Sequence, residues 1–228
     1  MTMSVPLLPP ELVLKIFHEL DLVGLIKATN ICTRWRTLVS VSGVIQKEHL
    51  SLLQHYKDTI ASPSFLASRE SLLPRLISNF DRPKYVSDLK AQYPGYALPT
   101  ELTLWILEWP SRACDKYWPG LRHAPNPEGY SWLTCPDLSQ LIAKPSIPYS
   151  RAVYFEGPNC EDAGLEEAEM DATSVLVWTT RYDHATFLVV GDCDERYGQV
   201  DEFTVVSPTG NVKHNFSDSW SVFLRKQL

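Results

Sequence analysis

The chain has 228 residues, 44% of them hydrophobic and 21% charged, with a formal charge of −6. This suits one large or two modest globular domains, and the acidic balance argues against a general nucleic-acid binder, which carries a basic face. No run of 18 apolar residues is present, and the first residues lack a basic patch followed by an apolar run, so neither a membrane span nor a signal peptide is expected.

The first elements lie between Leu8 and Val39. Pro9 and Pro10 suit the first turn of a helix, where a missing N–H costs nothing, and Glu11 lies near its positive end. At about 100° per residue, Leu12, Ile16, Leu20, Val13 and Phe17 share an arc of about 140°, with Leu14 at its edge. A helix packed on one neighbour needs about 100°, so this one has apolar surface to spare. Asp21 is a plausible N-cap for a second helix over 22–30, with Leu22, Leu25, Ile26 and Thr29 on one side. A third, over 33–41, carries Trp35, Leu38 and Val39. Three short helices in about 40 residues need outside support to stay folded. The stretch holds no cysteine pair and no metal-ligand spacing. The support must come from the rest of the chain or from another protein.

The same residues resemble an F-box. Leu8-Pro9-Pro10-Glu11-Leu12 is similar to its opening "LPxEL". Ile16-Phe17 with Leu20-Asp21 is similar to "IFxxLD", Leu25 matches a further leucine, and Cys32 to Leu38 resembles the closing "CRxWRxL". The usual Leu-Trp after the third helix is absent; Val44-Ile45 stands near that place. The resemblance implies that the spare apolar face is a partner surface for the Skp-type adaptor of a cullin-based ubiquitin ligase. The residues it implies in adaptor binding are Leu8, Pro9, Leu12, Ile16, Phe17, Leu20, Leu25, Ile26, Trp35 and Leu38. The expected F-box spans 1–45.

A helical connector is expected over 46–80. Ile45, His49, Leu52, Leu53, Tyr56 and Ile60 recur at spacings of three and four, and Ser62-Pro63-Ser64 breaks the pattern. Leu72, Leu73, Leu76, Ile77 and Phe80 suggest another short helix, starting at Pro74. Asp81-Arg82-Pro83 signals a further helix with Tyr85, Leu89 and Tyr93, closed by Tyr93-Pro94-Gly95. "LPTELTLWILEWP", 98–110, predicts a helix with Leu102, Trp105, Ile106 and Trp109 on a common side. It opens like the Leu8 string, but the later F-box helices do not follow, so the likeness is one of helix-start chemistry. From about 118 to 150 the chain is rich in proline, which precludes long regular elements. Trp118, Tyr130 and Trp132 there serve either to pin the loop to a core or as a recognition surface.

The last third reads as sheet. Strands are expected at 152–155, 173–180 and 185–190, the last two joined by Arg181 to His184 as a hairpin. A further strand over 199–206 precedes a type I turn at Ser207-Pro208-Thr209-Gly210 and a brief return strand over 211–214. Ser217 is expected to cap a final helix with Trp220, Phe223 and Leu224 on one face. Helices, then an antiparallel meander, then a helix make an α+β fold. Leu98-Pro99, Thr186 to Val190, Gly198-Gln199-Val200, and Phe216 to Trp220 with Phe223-Leu224 resemble the SUKH superfamily. That resemblance implies a protein-binding module without catalysis over 81–228, and the whole chain is similar to fungal F-box proteins with tails of this style.

"CEDAGLEEAEMD", 160–171, has six acidic residues and no basic one; it is either a solvated loop or a docking strip for a basic target. Five scattered cysteines without a CxxC pair suit reduced thiols in cytosol or nucleus. No GxSxG, HExxH, Walker or GxGxxG pattern is present, so neither a cofactor nor a metal is expected, nor contact with nucleic acid or membrane. His184 and Cys193 would form a catalytic pair only if brought together and oriented. The expected function is that of a substrate receptor in an SCF-type ligase, without catalysis of its own. The alternatives are an adaptor-bound scaffold outside a ligase and a catalytic domain carrying an F-box for its own turnover.

Overall fold

The structure is a computed structural model. It describes residues 8–92, 94–95, 97–122, 130–131, 133, 174–179, 184–190, 197–205 and 212–228. Eight helices are described: α1 (Pro10–His18), α2 (Leu22–Ile31), α3 (Thr33–Val41), α4 (Lys47–Ala61), α5 (Pro63–Leu72), α6 (Arg82–Gln92), α7 (Thr100–Glu108) and α8 (Trp220–Lys226). Five strands are described: β1 (Tyr130–Ser131), β2 (Ser174–Thr179), β3 (His184–Val189), β4 (Val200–Val205) and β5 (Val212–Ser217). Helices and an antiparallel sheet in one chain make the fold α+β.

Local chemistry accounts for most helix boundaries. Asp21 caps α2 as expected, its Oδ1 accepting from the Gly24 amide at 2.7 Å. Asp81 opens α6 by accepting from the Lys84 amide at 3.0 Å. Ser62 both ends α4 and caps α5, with Pro63 at the first helical position. The expected break is therefore also a start, and the ten-residue α5 was not foreseen. The helix expected from Pro74 to about Phe80 does not form. Leu73–Arg75 make one 3₁₀ turn. Leu76 then turns extended, bridging Leu121, and the Ile77 amide donates to the Gly120 carbonyl at 2.9 Å. Tertiary pairing has displaced local periodicity. Gly120 suits that approach, since a Cβ there would lie 2.6 Å from the Trp118 Nε1 and 2.8 Å from Phe80.

The described strands run in the order β1-β2-β3-β4-β5, each antiparallel to the next. A register shift lies between Leu176 and Trp178. Thr186 to Val190 are buried without interruption, so both faces of β3 are covered at these positions. Gly198, at φ +83°, makes the turn into β4. The return strand runs on to Ser217, past its expected end at 214, and the cap of α8 is Ser219 rather than Ser217. Strand β1 falls in the proline-rich stretch and was not foreseen. The strand expected at 152–155, the acidic run 160–171, the turn at 207–210, Trp132 and Cys193 lie outside the described residues.

One apolar core extends from Val13 to Leu224. Its centre is aromatic: Trp105 meets Trp118 and Trp220 edge to face at 5.1 and 5.2 Å, and Tyr117 meets Phe223 at 5.3 Å. Such pairs add about 0.5–1.5 kcal/mol each beyond area burial. Arg82 closes one side, 4.9 Å above the Trp118 ring, and donates to the carbonyls of Leu107 and Trp109 at the end of α7. Within the expected connector, α4 packs on α2, α5, α7 and α8 and buries His49, Leu52, Leu53, His55 and Thr59. Residues 46–80 thus share the core with both sides.

Candidate docking face

Helix α1 divides its apolar residues between two sides. Val13 and Phe17 are 0% and 1% exposed, whereas Leu8, Leu12 and Ile16 are 41%, 46% and 37% exposed. Phe17 meets Trp35 of α3 edge to face at 5.3 Å. Lys15 and His18 sit in the last turn of α1, where a positive charge is favourable. Arg36 of α3 donates through Nε to the Thr29 carbonyl of α2 at 3.0 Å. Beside the exposed stripe is a shallow groove of about 470 Å³, lined by Glu11, Leu14, Lys15, His18, Glu19 and Val44.

The structure sorts the ten residues expected to meet an adaptor into three groups. Leu8, Pro9, Leu12 and Ile16 are exposed. Leu20, Trp35 and Leu38 are half-buried, packed against the core from its margin. Phe17, Leu25 and Ile26 are buried within the chain. In the chain by itself these three side chains are part of the core, with Phe17 set against Trp35 of α3. The string of apolar residues mixed two roles, since helical angle alone does not tell which side the chain itself covers. Ile31, Val41 and Val44 are exposed apolar residues of the same segment that were not foreseen as contacts.

The support that three short helices require comes in part from within the chain. The Leu22 amide, in the first turn of α2, donates to Oε2 of Glu108 at 2.7 Å. Nε2 of His49 on α4 meets the same oxygen at 2.9 Å. Glu108 ends α7, so the carboxylate joins α2 and α4 to the aromatic core.

Elsewhere the pKa of the exposed Lys84 is raised by its bond to Asp88, and the following groups lie in or against that core. Burial, reinforced by Asp115, pushes the Cys114 thiol up to about 12, which keeps it protonated and unreactive. Burial pushes the Asp115 carboxyl up to about 6 and the Tyr117 hydroxyl well above its ordinary value. His55 is fully buried and stacks on Trp109 at 4.8 Å. Burial, with Arg225 adding repulsion, lowers its pKa to about 3, so it is neutral at pH 7. Among the described residues no three His, Cys, Asp or Glu side chains are placed to hold a metal, and no helix is long and apolar enough to cross a membrane. Cys193 and the side chain of His184 lie outside what the structure describes.

Residues 5–43 match the F-box-like family model, which covers α1, α2 and α3. No curated protein and no solved structure matches the chain at a significant level. F-box domains in general bind Skp-type adaptors.

Proposed function

We propose that this protein is a substrate-receptor subunit of an SCF-type cullin ubiquitin ligase, held to a Skp-type adaptor by residues 5–43 and to a target protein by its C-terminal part. One observation carries the reading. The segment that matches the F-box-like model is the one that leaves Leu8, just before its first helix, and Leu12 and Ile16 on that helix to solvent while burying Val13 and Phe17. Spaced four apart, Leu8, Leu12 and Ile16 line one side of the segment, and apolar side chains gathered on one exposed side are a feature of interaction sites. The chain supplies binding, and ubiquitin transfer belongs to the partner complex. It works in cytosol or nucleus without a cofactor. The SUKH-like character of residues 81–228 and the fungal style of the chain rest on the residues quoted for them in the sequence.

The test is copurification of a Skp-type adaptor with the full chain and with the Leu12→Asp/Ile16→Asp double variant. Phe17 is avoided because its replacement would disrupt the core. The expected result is recovery with the parent chain and loss with the variant at unchanged circular dichroism. Equal recovery with both overturns the reading of this face. Cullin recovered alongside the adaptor supports the ligase role; an adaptor complex that never contains cullin identifies a scaffold instead.

A further inference from the structure

Helix α7 carries two carboxylates, Glu101 and Glu108, seven residues apart. Seven residues turn a helix by about 700°, so the two lie on nearly one face, about 10.5 Å apart along the axis. Each serves the first turn of a different helix. Glu101 is buried and accepts from the Ser221 amide of α8 at 2.9 Å. Glu108 accepts from the Leu22 amide of α2 at 2.7 Å and from His49 of α4 at 2.9 Å. Glu108 is badly placed for its own helix, because a negative charge in the last turn opposes the helix dipole. Its position is accounted for by its partners: with Asp21 it neutralises the positive end of α2, and it binds His49 of α4.

The chain leaves the three helices through a short irregular passage. Between α3 and α4 the chain passes through 42–46 without helix or strand, and Gly43 has open space where a side chain would stand. Ser42 and Ile45 in this passage are buried, and His18 Nδ1 donates to the Val44 carbonyl at 3.3 Å. The packing of α2 on α4 and the Glu108 carboxylate add to this hold on α1, α2 and α3. We infer that Glu108 is a latch. It fixes α1, α2 and α3 against the aromatic core, and its release lets the three helices open as one cooperative unit while α7 keeps its place. Glu101 performs the matching task for α8 and leaves the three helices alone.

Amide hydrogen exchange on the full chain tests this, since cooperative units open separately with their own free energies. Charge-assisted bonds to a half-buried carboxylate are among the stronger ones. Glu108→Ala should therefore speed exchange across α1, α2 and α3 by roughly tenfold to a hundredfold, with α7 amides unchanged. Glu108→Gln keeps the shape and a carbonyl acceptor while removing the charge, and should give a smaller rise in the same helices. Glu101→Gln should speed exchange in α8 and leave α2 as it was. Unchanged exchange in α1, α2 and α3 of Glu108→Ala overturns the latch. So does an equal rise in α2 and α7, which would make Glu108 a general support of the fold.

Discussion

Helices α1 and α7 open on nearly the same string, Leu8-Pro9-Pro10-Glu11-Leu12 and Leu98-Pro99-Thr100-Glu101-Leu102, and end in opposite surroundings. Both take proline just before the helix and glutamate in the first turn. In α1 the leucines of the string are exposed; in α7 Leu98 and Leu102 are buried. Glu11 faces water, while Glu101 is buried against the first turn of α8. Starting a helix is a local matter, settled within one turn. What covers the helix is settled by residues far away in the chain: Trp118 and Trp220 flank Trp105, and no described residue does the same for Leu12 and Ile16.

The contrast can be broken most forcefully on the α7 side. Trp105→Ala should cost about 3–5 kcal/mol, as large aromatic truncations in a packed core do, and lower the thermal midpoint by about 10 °C. A shift of a degree or two would show that α7 is not central. Glu101→Ala should cost about 1.5–3 kcal/mol through a buried amide left without its charged acceptor. Glu11→Ala should cost about 0.3–1 kcal/mol, and urea unfolding of the pair that gave equal losses would erase the distinction between the two strings.

His55, stacked on Trp109 just beyond α7, sharpens the comparison through pH. Its folded pKa of about 3 lies below the ordinary 6.5, so below pH 6.5 the unfolded chain takes up a proton that the folded chain refuses. Stability is full above that value and falls as the solution is acidified toward pH 3. The loss from pH 7 to pH 5 is about 2 kcal/mol. His55→Phe should remove that part of the pH dependence, and a parent and variant with parallel pH curves would contradict it. The smallest effect belongs to α1: Leu12→Asp/Ile16→Asp should move stability by about 0.5 kcal/mol or less while abolishing adaptor copurification. A large thermal shift in this variant would show that the face is covered by the chain itself.

Much of the helical half was legible because its boundaries are written in side chains that act within four residues. Asp21 and Asp81 accept from the amides three residues on, and Pro9 and Pro99 stand just before α1 and α7. Helix α5 escaped notice because Ser62-Pro63 ends one helix and begins another, and a break is the more obvious reading of proline. The helix expected from Pro74 failed for a different reason: Leu76 and Ile77 pair with Gly120 and Leu121, more than forty residues away, and no window of the sequence contains both. At the docking face the apolar residues were legible but their burial was not: Leu12 and Ile16 are exposed, while Phe17, Leu25 and Ile26 are buried. One signal could have pointed to Glu108. A carboxylate at the wrong end of a helix contradicts local preference, and such contradictions tend to mark a tertiary or functional duty.

The single core sets a limit on how this chain can be divided. A chimera that transplanted residues 5–43 alone would leave behind His49 and Glu108, and the Leu22 amide would lose its acceptor. It would also strip α2 of the flank that α4 covers. The shortest graft that keeps both runs through Glu108, nearly half of the protein. What looks like a portable cassette in the sequence is, in three dimensions, an integral corner of the molecule.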